Sequence, residues 1–264
     1  MDGYQDEQRK RKLREVQIWD SGALKRTRYE MMLAHANAGP ARTRRDLFIK
    51  EAVAHLGNKT VLEIGSQGWG AVLCKFKIAP KSLTCINISQ TELDLGKIAA
   101  DRDNFRAEFK IMDAHHLDFP DEHFDFVFGV AILHHLDFTA AMREVARVTK
   151  PGGQILFVEP LRLNPVARLI RLLTPAARTP DERPLGREEL QTINNFFDTD
   201  YLYTELFYTP AAVMSPMFFK NPNNWLTKKF DHLDKFLVEK FPGLGVFCRT
   251  VTFHGRRLAG NYHV

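Results

Sequence analysis

Five short apolar runs, at residues 60–64, 82–88, 107–112, 124–130 and 154–159, constrain this chain more than any other feature. Each is rich in Val, Ile, Leu and Phe with little polar alternation, which suits a strand covered on both faces. Helical stretches are expected between them, at 71–76, 91–101 and 139–149, the last stopped by Lys150-Pro-Gly-Gly153. Strands alternating with helices in this way predict an α/β fold, a doubly wound sheet that is mostly parallel. Two further strands, at 201–208 and 246–254, would complete seven, the last antiparallel because no simple crossover joins it to its neighbour.

The flanks are of a different kind. Residues 5–35 read as helical with an imperfect apolar face that includes Leu13, Val16, Trp19, Tyr29 and Leu33, interrupted at Ser21-Gly22. A second helix is expected at 42–56, ended by Gly57-Asn58. Beyond Glu159, five prolines between Pro160 and Pro184 punctuate a segment with one amphipathic helix at 166–173; a helix at 187–195 follows, and aromatic-rich helices are expected within 211–241. The organisation predicted is an N-terminal helical lid (1–40), a ligand-binding core (41–160), and a cover insertion with C-terminal strands that complete the same sheet (161–264).

Composition excludes several classes. With 264 residues and 44% hydrophobic content, the chain can bury one full α/β core. No apolar run approaches the roughly 18 residues of a bilayer span, and the first dozen residues lack a signal peptide's apolar segment, so a cytoplasmic protein is expected. Cys74, Cys85 and Cys248 have no metal-ligand spacing and read as reduced core residues; no metal is assigned. The net charge of +5 resides in residues 1–50, where 12 Lys and Arg face 7 Asp and Glu. The remainder is near neutral, which speaks against a nucleic-acid partner.

In an open parallel sheet, ligands bind outside the carboxyl ends of the strands. Those ends carry Glu63 with Gly65, Gly68 and Gly70, then Asn87, Asp113-Ala114, the stretch from Val130 to His135, and Glu159-Pro160. A strand that runs into three glycines lets the backbone turn sharply and approach a ligand closely.

Six blocks then occur in order: Glu63-Ile-Gly, Ile86-Asn-Ile-Ser89, Asp113-Ala-His-His-Leu-Asp-Phe-Pro120, Phe124-Asp-Phe-Val127, Leu133-His-His-Leu136 and Glu144-Val-Ala-Arg-Val-Thr-Lys-Pro-Gly-Gly153. Together they resemble the class I S-adenosylmethionine-dependent methyltransferases over about residues 45–160, and more loosely the members acting on natural products or lipids. The resemblance implies a Rossmann-like sheet, S-adenosyl-L-methionine as cofactor and S-adenosyl-L-homocysteine as product. It implies that Glu63, Gly65, Ser66, Gln67, Gly68 and Gly70 form the loop under the methionine part. Asn87 would meet the ribose where the family usually has an acid, and Ile88 the adenine face. Asp113 and Ala114 would bond the adenine edge, and Val130, Ala131 and His135 would line the rest. The glycine loop departs from the family pattern, with Gln67 at the place of the usual second glycine and one residue of extra length. Asp125 is expected to tie a sheet loop, and His115 and His116 to lie on a surface loop.

Glu159, His134 and His135 are the candidate proton acceptors, because each lies at a strand end facing the expected cleft. Trp19, Tyr29, Tyr208, Phe218 and Trp225 are candidate substrate contacts, together with Arg162; if Arg162, Arg168, Arg171 and Arg178 converge, they suit an anionic acceptor. The function expected is methyl transfer to a small molecule of specialised metabolism, with oxygen slightly preferred. The alternatives are C-methylation of a prenyl diphosphate or lipid, and a non-catalytic cofactor-binding scaffold. A homo-oligomer joined through the N-terminal helix is also expected.

Overall fold

The computed structural model describes residues 2–22, 24, 27–66 and 72–258. Its centre is a seven-stranded sheet of β1 (Thr60–Ile64), β2 (Ser82–Asn87), β3 (Glu108–Ile111), β4 (Phe124–Val130), β5 (Thr149–Pro160), β6 (Phe197–Thr204) and β7 (Thr250–Arg257), in the order β3-β2-β1-β4-β5-β7-β6. β1 to β5 are mutually parallel, and β7 runs antiparallel between β5 and β6. The strand order reverses between β1 and β4, which places the binding crevice over the carboxyl ends of those two strands.

The apolar runs are continuous because both faces are buried. Leu62, Ile64, Val127, Ile155 and Phe157 enter one core, while Val61, Phe126, Phe128, Leu156 and Val158 enter the other. Helices α1 (Asp2–Ser21), α2 (Thr27–Met32), α3 (Ala34–Ala38) and α4 (Pro40–Val53) precede the sheet; α5 (Gln90–Arg102) and α6 (Phe138–Val148) make crossovers within it. α7 (Pro165–Leu173), α8 (Arg187–Asn194), α9 (Tyr208–Met214) and α10 (Trp225–Lys240) follow β5. Local chemistry fixes several starts: Ser89, Asp137, Asn164 and Asn224 each accept a hydrogen bond from the backbone amide three residues on.

Several expectations shift: β5 starts at Thr149 instead of 154, and β7 runs Thr250–Arg257 instead of 246–254. Residues 72–77 form hydrogen-bonded turns instead of the helix expected at 71–76, and Lys77 closes them with φ of 55°. β6 begins four residues earlier than expected because Phe197 is buried in the core beneath it. The N-terminal helical stretch ends its first helix at Ser21, where the interruption was expected, and is broken once more at Leu33, between α2 and α3.

Candidate active site

The sheet's carboxyl end supports two adjoining spaces. The first is a cleft lined by Ile64, Gly65, Ile86, Asn87, Ile88, Met112, Ala114, Ala131, Ile132, His135 and Leu136, with Glu15 and Trp19 of α1 reaching in from above. Gly65 has φ of 71°, and a Cβ there would meet the Ile132 side chain at 2.5 Å, so the turn out of β1 requires glycine twice over. Glu63 lies buried beneath, and its Oε2 accepts hydrogen bonds from Ser66 Oγ at 3.0 Å and Cys85 Sγ at 3.3 Å. Burial pushes its carboxyl up to about 6. Asn87 is committed at both ends of its amide, donating to the Ser66 carbonyl at 2.8 Å and accepting from the Ser89 amide at 3.0 Å.

At the cleft's rim, Asp113 is burdened by burial, but hydrogen bonds from His115 and Lys12 hold its carboxyl well below the usual range. Lys12 Nζ sits 2.8 Å from Asp113 Oδ2. His115 does more than sit on a surface loop: Nδ1 bonds Asp113 at 2.6 Å and Nε2 accepts from the Asp137 amide at 2.8 Å, joining the end of β3 to the start of α6. His116 is exposed. α1 is pinned over the cleft by further contacts, Ser89 Oγ to Asp20 at 2.5 Å, Arg11 Nη2 to the His135 carbonyl at 2.7 Å, and Arg14 to both oxygens of Asp181 at 2.9 Å. With α1 in place the cleft's volume is only about 50 Å³.

The second space is a cavity of about 490 Å³, lined among others by Trp19, Tyr29, Val130, Ala131, His134, His135, Val158, Glu159 and Pro160. It meets the cleft at Trp19, Ala131 and His135, which line both. Ala131 holds φ of 54°, a left-handed turn that a residue with a Cβ adopts at a cost of order 1 kcal/mol or more, immediately at this junction.

Glu159 organises the junction. Its side chain is fully buried; Oε1 accepts from the Ile132 and Leu133 amides, both at 2.9 Å, and Oε2 lies 2.7 Å from His134 Nδ1. Both oxygens are therefore occupied by N–H groups of the turn after β4, an arrangement that positions the turn, where the sequence suggested a candidate proton acceptor. Bonding Nδ1–H to the carboxylate leaves His134 Nε2 as the bare ring nitrogen. His135 Nδ1 lies 3.2 Å from Thr179 Oγ1 and 3.3 Å from Glu15 Oε2. His134, His135 and Glu182 also bring one ligand atom each within 4.8 Å of one another, a spacing that a metal ion can bridge.

Residues 62–157 match the family model described as a methyltransferase domain. The ubiquinone/menaquinone biosynthesis C-methyltransferase UbiE of Pseudomonas putida is 33% identical over 166 residues, 60% of this chain and 62% of that protein. Over residues 62–157 the chain is thus similar to a methyltransferase domain. The same fold carries the [4+2]-cyclase SpnF (TM-score 0.54, 18% identity, 82% of this chain and 81% of that one). It also carries geranyl diphosphate C-methyltransferase of Streptomyces coelicolor, solved with Mg2+, geranyl diphosphate and S-adenosyl-L-homocysteine (TM-score 0.55, 12% identity, 82% and 81%). This chain thus spans less than two thirds of the length of the curated relatives it matches, and at such low identity the solved structures establish the fold alone.

The strand ends gather at one cleft the cofactor residues expected there that the structure describes. Gly65, Asn87, Ile88, Ala114, Ala131 and His135 line it, Glu63 and Ser66 brace its floor, and Asp113 stands at its rim, whereas Val130 faces the second cavity. Gln67, Gly68 and Gly70 lie outside the described residues. Asp125 ties a sheet loop, as expected, through the Thr60 amide and Lys150. The lining fits an adenosyl thioether in its chemistry, with apolar walls, a rim carboxylate and a buried floor carboxylate. Glu15 Oε1, buried in the same cleft, has no hydrogen-bond partner among the described residues.

Substrate expectations divide sharply. Trp19 and Tyr29 line the second cavity, but Arg162, Tyr208, Phe218 and Trp225 do not. Arg162 faces Glu189 at 3.5 Å with its guanidinium beside Gly186. Tyr208 is wholly buried in the third core, donating to the His35 carbonyl. Phe218 and Trp225 are 68% and 64% exposed. Of the four arginines expected near β5, Arg171 and Arg178 reach the cavity and Arg162 and Arg168 stay out; Arg42, Arg45 and Arg249, which sequence reasoning missed, join them. Nothing local marks any of the three as a site residue, since each arrives from a segment distant in sequence.

Proposed function

We propose that this protein is a methyltransferase that uses S-adenosylmethionine to methylate a small molecule held in the 490 Å³ cavity. The observation that carries this is the shared wall of Trp19, Ala131 and His135, across which a group bound in the cleft and a guest in the cavity would meet. The cavity falls within the roughly 300–1,000 Å³ typical of small-molecule sites. When bound, the cofactor supplies an electrophilic methyl group. The chain's own work is to position the acceptor, exclude water and receive a proton where the acceptor must lose one.

In this scheme Ile64, Gly65, Ile88, Asp113 and Ala114 would hold the cofactor, and α1 must withdraw to admit it and return to close the site. His134 Nε2 receives the acceptor's proton, while Glu159 holds the imidazole and the strained turn in place. His135, tied to Glu15 and Thr179, couples α1 and the cover segment to the junction. Replacing Glu159 by Gln and His134 by Gln should each lower turnover at least tenfold, about 1.4 kcal/mol in the barrier. A smaller loss in His134→Gln would remove it as proton acceptor, and a smaller loss in Glu159→Gln would remove its positioning role.

The atom methylated is oxygen, carbon or nitrogen. The sequence-based preference for oxygen finds no support in UbiE and the geranyl diphosphate enzyme, both described as C-methyltransferases. Transfer of labelled methyl to a panel of phenols, enols and prenyl compounds, with calorimetry on S-adenosylhomocysteine, tests the proposal. Absence of heat would end it, and heat without turnover on any acceptor would favour a scaffold. A homo-oligomer formed through α1 is tested by sedimentation, where a monomer would exclude it. No helix of the described residues is long and apolar enough to cross a membrane.

A further inference from the structure

Five arginines line the large cavity, Arg42, Arg45, Arg171, Arg178 and Arg249, against three carboxylates, Glu30, Glu159 and Glu182. Arg42 pairs with Asp46 at 3.0 Å, Arg178 faces Glu182 at 3.5 Å, and Arg249 grips Glu205 in a two-pronged contact at 2.6 and 2.8 Å. Arg45 is different. It is 5% exposed, and among the described residues its guanidinium makes no hydrogen bond and no ion pair. Arg171 donates from Nη2 to the Leu161 carbonyl at 3.0 Å and likewise has no carboxylate within ion-pair distance among the described residues.

Arg249 is within electrostatic reach of both. Burial lowers the proton affinity of Arg45, to about 10, with Glu205 and Asp46 pulling the other way and Arg42 and Arg249 adding to the fall. Burial lowers that of Arg171 too, with Arg178 and Arg249 adding to the fall and Glu182 opposing it. Arg45, Arg171 and Arg249 all line the one cavity. Glu205 cannot serve all of them, because Arg249 and Thr250 already occupy both its oxygens. A buried cation without a counter-charge is costly unless something bound supplies one. The carboxylates of Glu159 and Glu182 belong to the part of the cavity nearer His134 and His135, which would repel an anion from that end.

Resting on the methyltransferase reading above, we propose that the acceptor carries an oxyanion, a carboxylate or a phosphate, seated on Arg45 and Arg171 with Arg249 behind them. The atom to be methylated then lies at the opposite end, by His134 and Ala131. The cavity is polarised, with a cationic wall that reads the acceptor's charge and a junction that carries out the chemistry. Guanidinium groups suit this task because their planar N–H forks match both oxyanions.

Calorimetry with decanoate, decyl phosphate and decanol, at one ionic strength and with and without S-adenosylhomocysteine, tests this on the whole chain. At least one anionic probe should bind at least tenfold more tightly than decanol, and the stronger of the two distinguishes carboxylate from phosphate. Arg45→Met should reduce that affinity at least tenfold and leave decanol binding unchanged. It should also melt at or above the wild-type temperature, since it removes a buried charge that makes no hydrogen bond or ion pair among the described residues. Arg171→Met, on the half-exposed face of α7, should weaken the anion at least threefold without changing the melting temperature. Equal binding of decanol and both anions, no binding of either anion, or wild-type anion affinity in both variants would overturn the inference. So would an Arg45→Met protein that melts well below wild type while Arg171→Met retains full affinity. S-adenosylhomocysteine binding is measured on the same samples: its absence would sink the methyltransferase reading, whereas the anion titration decides this inference by itself.

Discussion

The cleft at the strand ends and the larger cavity beside it meet at Trp19, Ala131 and His135, yet they are built by opposite means. The cleft is made by consecutive residues at the ends of β1, β2, β3 and β4, so its shape follows from the sheet and is largely backbone. The cavity is made by side chains from α4, the turn after β4, the cover segment, α7 and the loop before β7, which no short stretch of sequence unites. A cleft of the first kind should tolerate side-chain change and fail when the backbone turn is blocked. A cavity of the second kind should fail when one buried charge loses its partner.

The largest expected effect tests the cavity's dependence on such pairs. Arg249→Met strands the fully buried Glu205 carboxylate and should cost about 3–5 kcal/mol of unfolding free energy in urea titrations; a loss under about 1 kcal/mol would mean that the wall does not rely on the pair. Next, Gly65→Val should weaken S-adenosylhomocysteine binding at least a hundredfold, about 2.7 kcal/mol, by both its positive φ and its collision with Ile132. Retained affinity would show that the turn out of β1 does not shape the cleft.

A smaller effect lies under the floor of the cleft. Because the folded-state carboxyl of Glu63 is raised to about 6 from an ordinary 4.5, the folded chain prefers the protonated form. Its contribution to stability is full below about pH 4.5 and is lost as the pH rises through 6. What remains at neutral pH is a net cost of about 2 kcal/mol, at roughly 1.4 kcal/mol for each pH unit that separates the two values. Glu63→Gln should therefore gain stability relative to wild type between pH 4.5 and 7, and parallel pH profiles for the two would refute this origin. The smallest effect concerns α1. Lys12→Ala frees Asp113, and since a half-exposed ion pair is worth at most about 1 kcal/mol, cofactor affinity should rise by up to about fivefold. A fall would mean that Lys12 assists binding instead of competing with it.

How much of this was readable beforehand follows the same division. β1 and β4 were legible to the residue, because a strand buried on both faces leaves an unbroken apolar run bounded by turn residues. The cleft residues were legible for the same reason: strand ends in a parallel sheet are bound to lie together. Glu159 was found, but its role was not, since only coordinates reveal that the Ile132 and Leu133 amides and His134 already use its oxygens. Tyr208, Phe218 and Trp225 were misread because an aromatic residue in a helical segment has the same local pattern whether it faces a core, a cavity or solvent.

Sequence by itself determined the mostly parallel sheet and the resemblance to methyltransferases, because the alternation of apolar runs with helical stretches fixes which elements form and which of their ends carry loops. Tertiary structure alone decided that α1 lies across the cleft, that Glu159 braces His134, and that Arg45 from α4 reaches the same cavity as Arg171 and Arg249. Most of those contacts join residues far apart along the chain, and their energies depend on burial and on the distance between charges, quantities that exist only after the chain has folded.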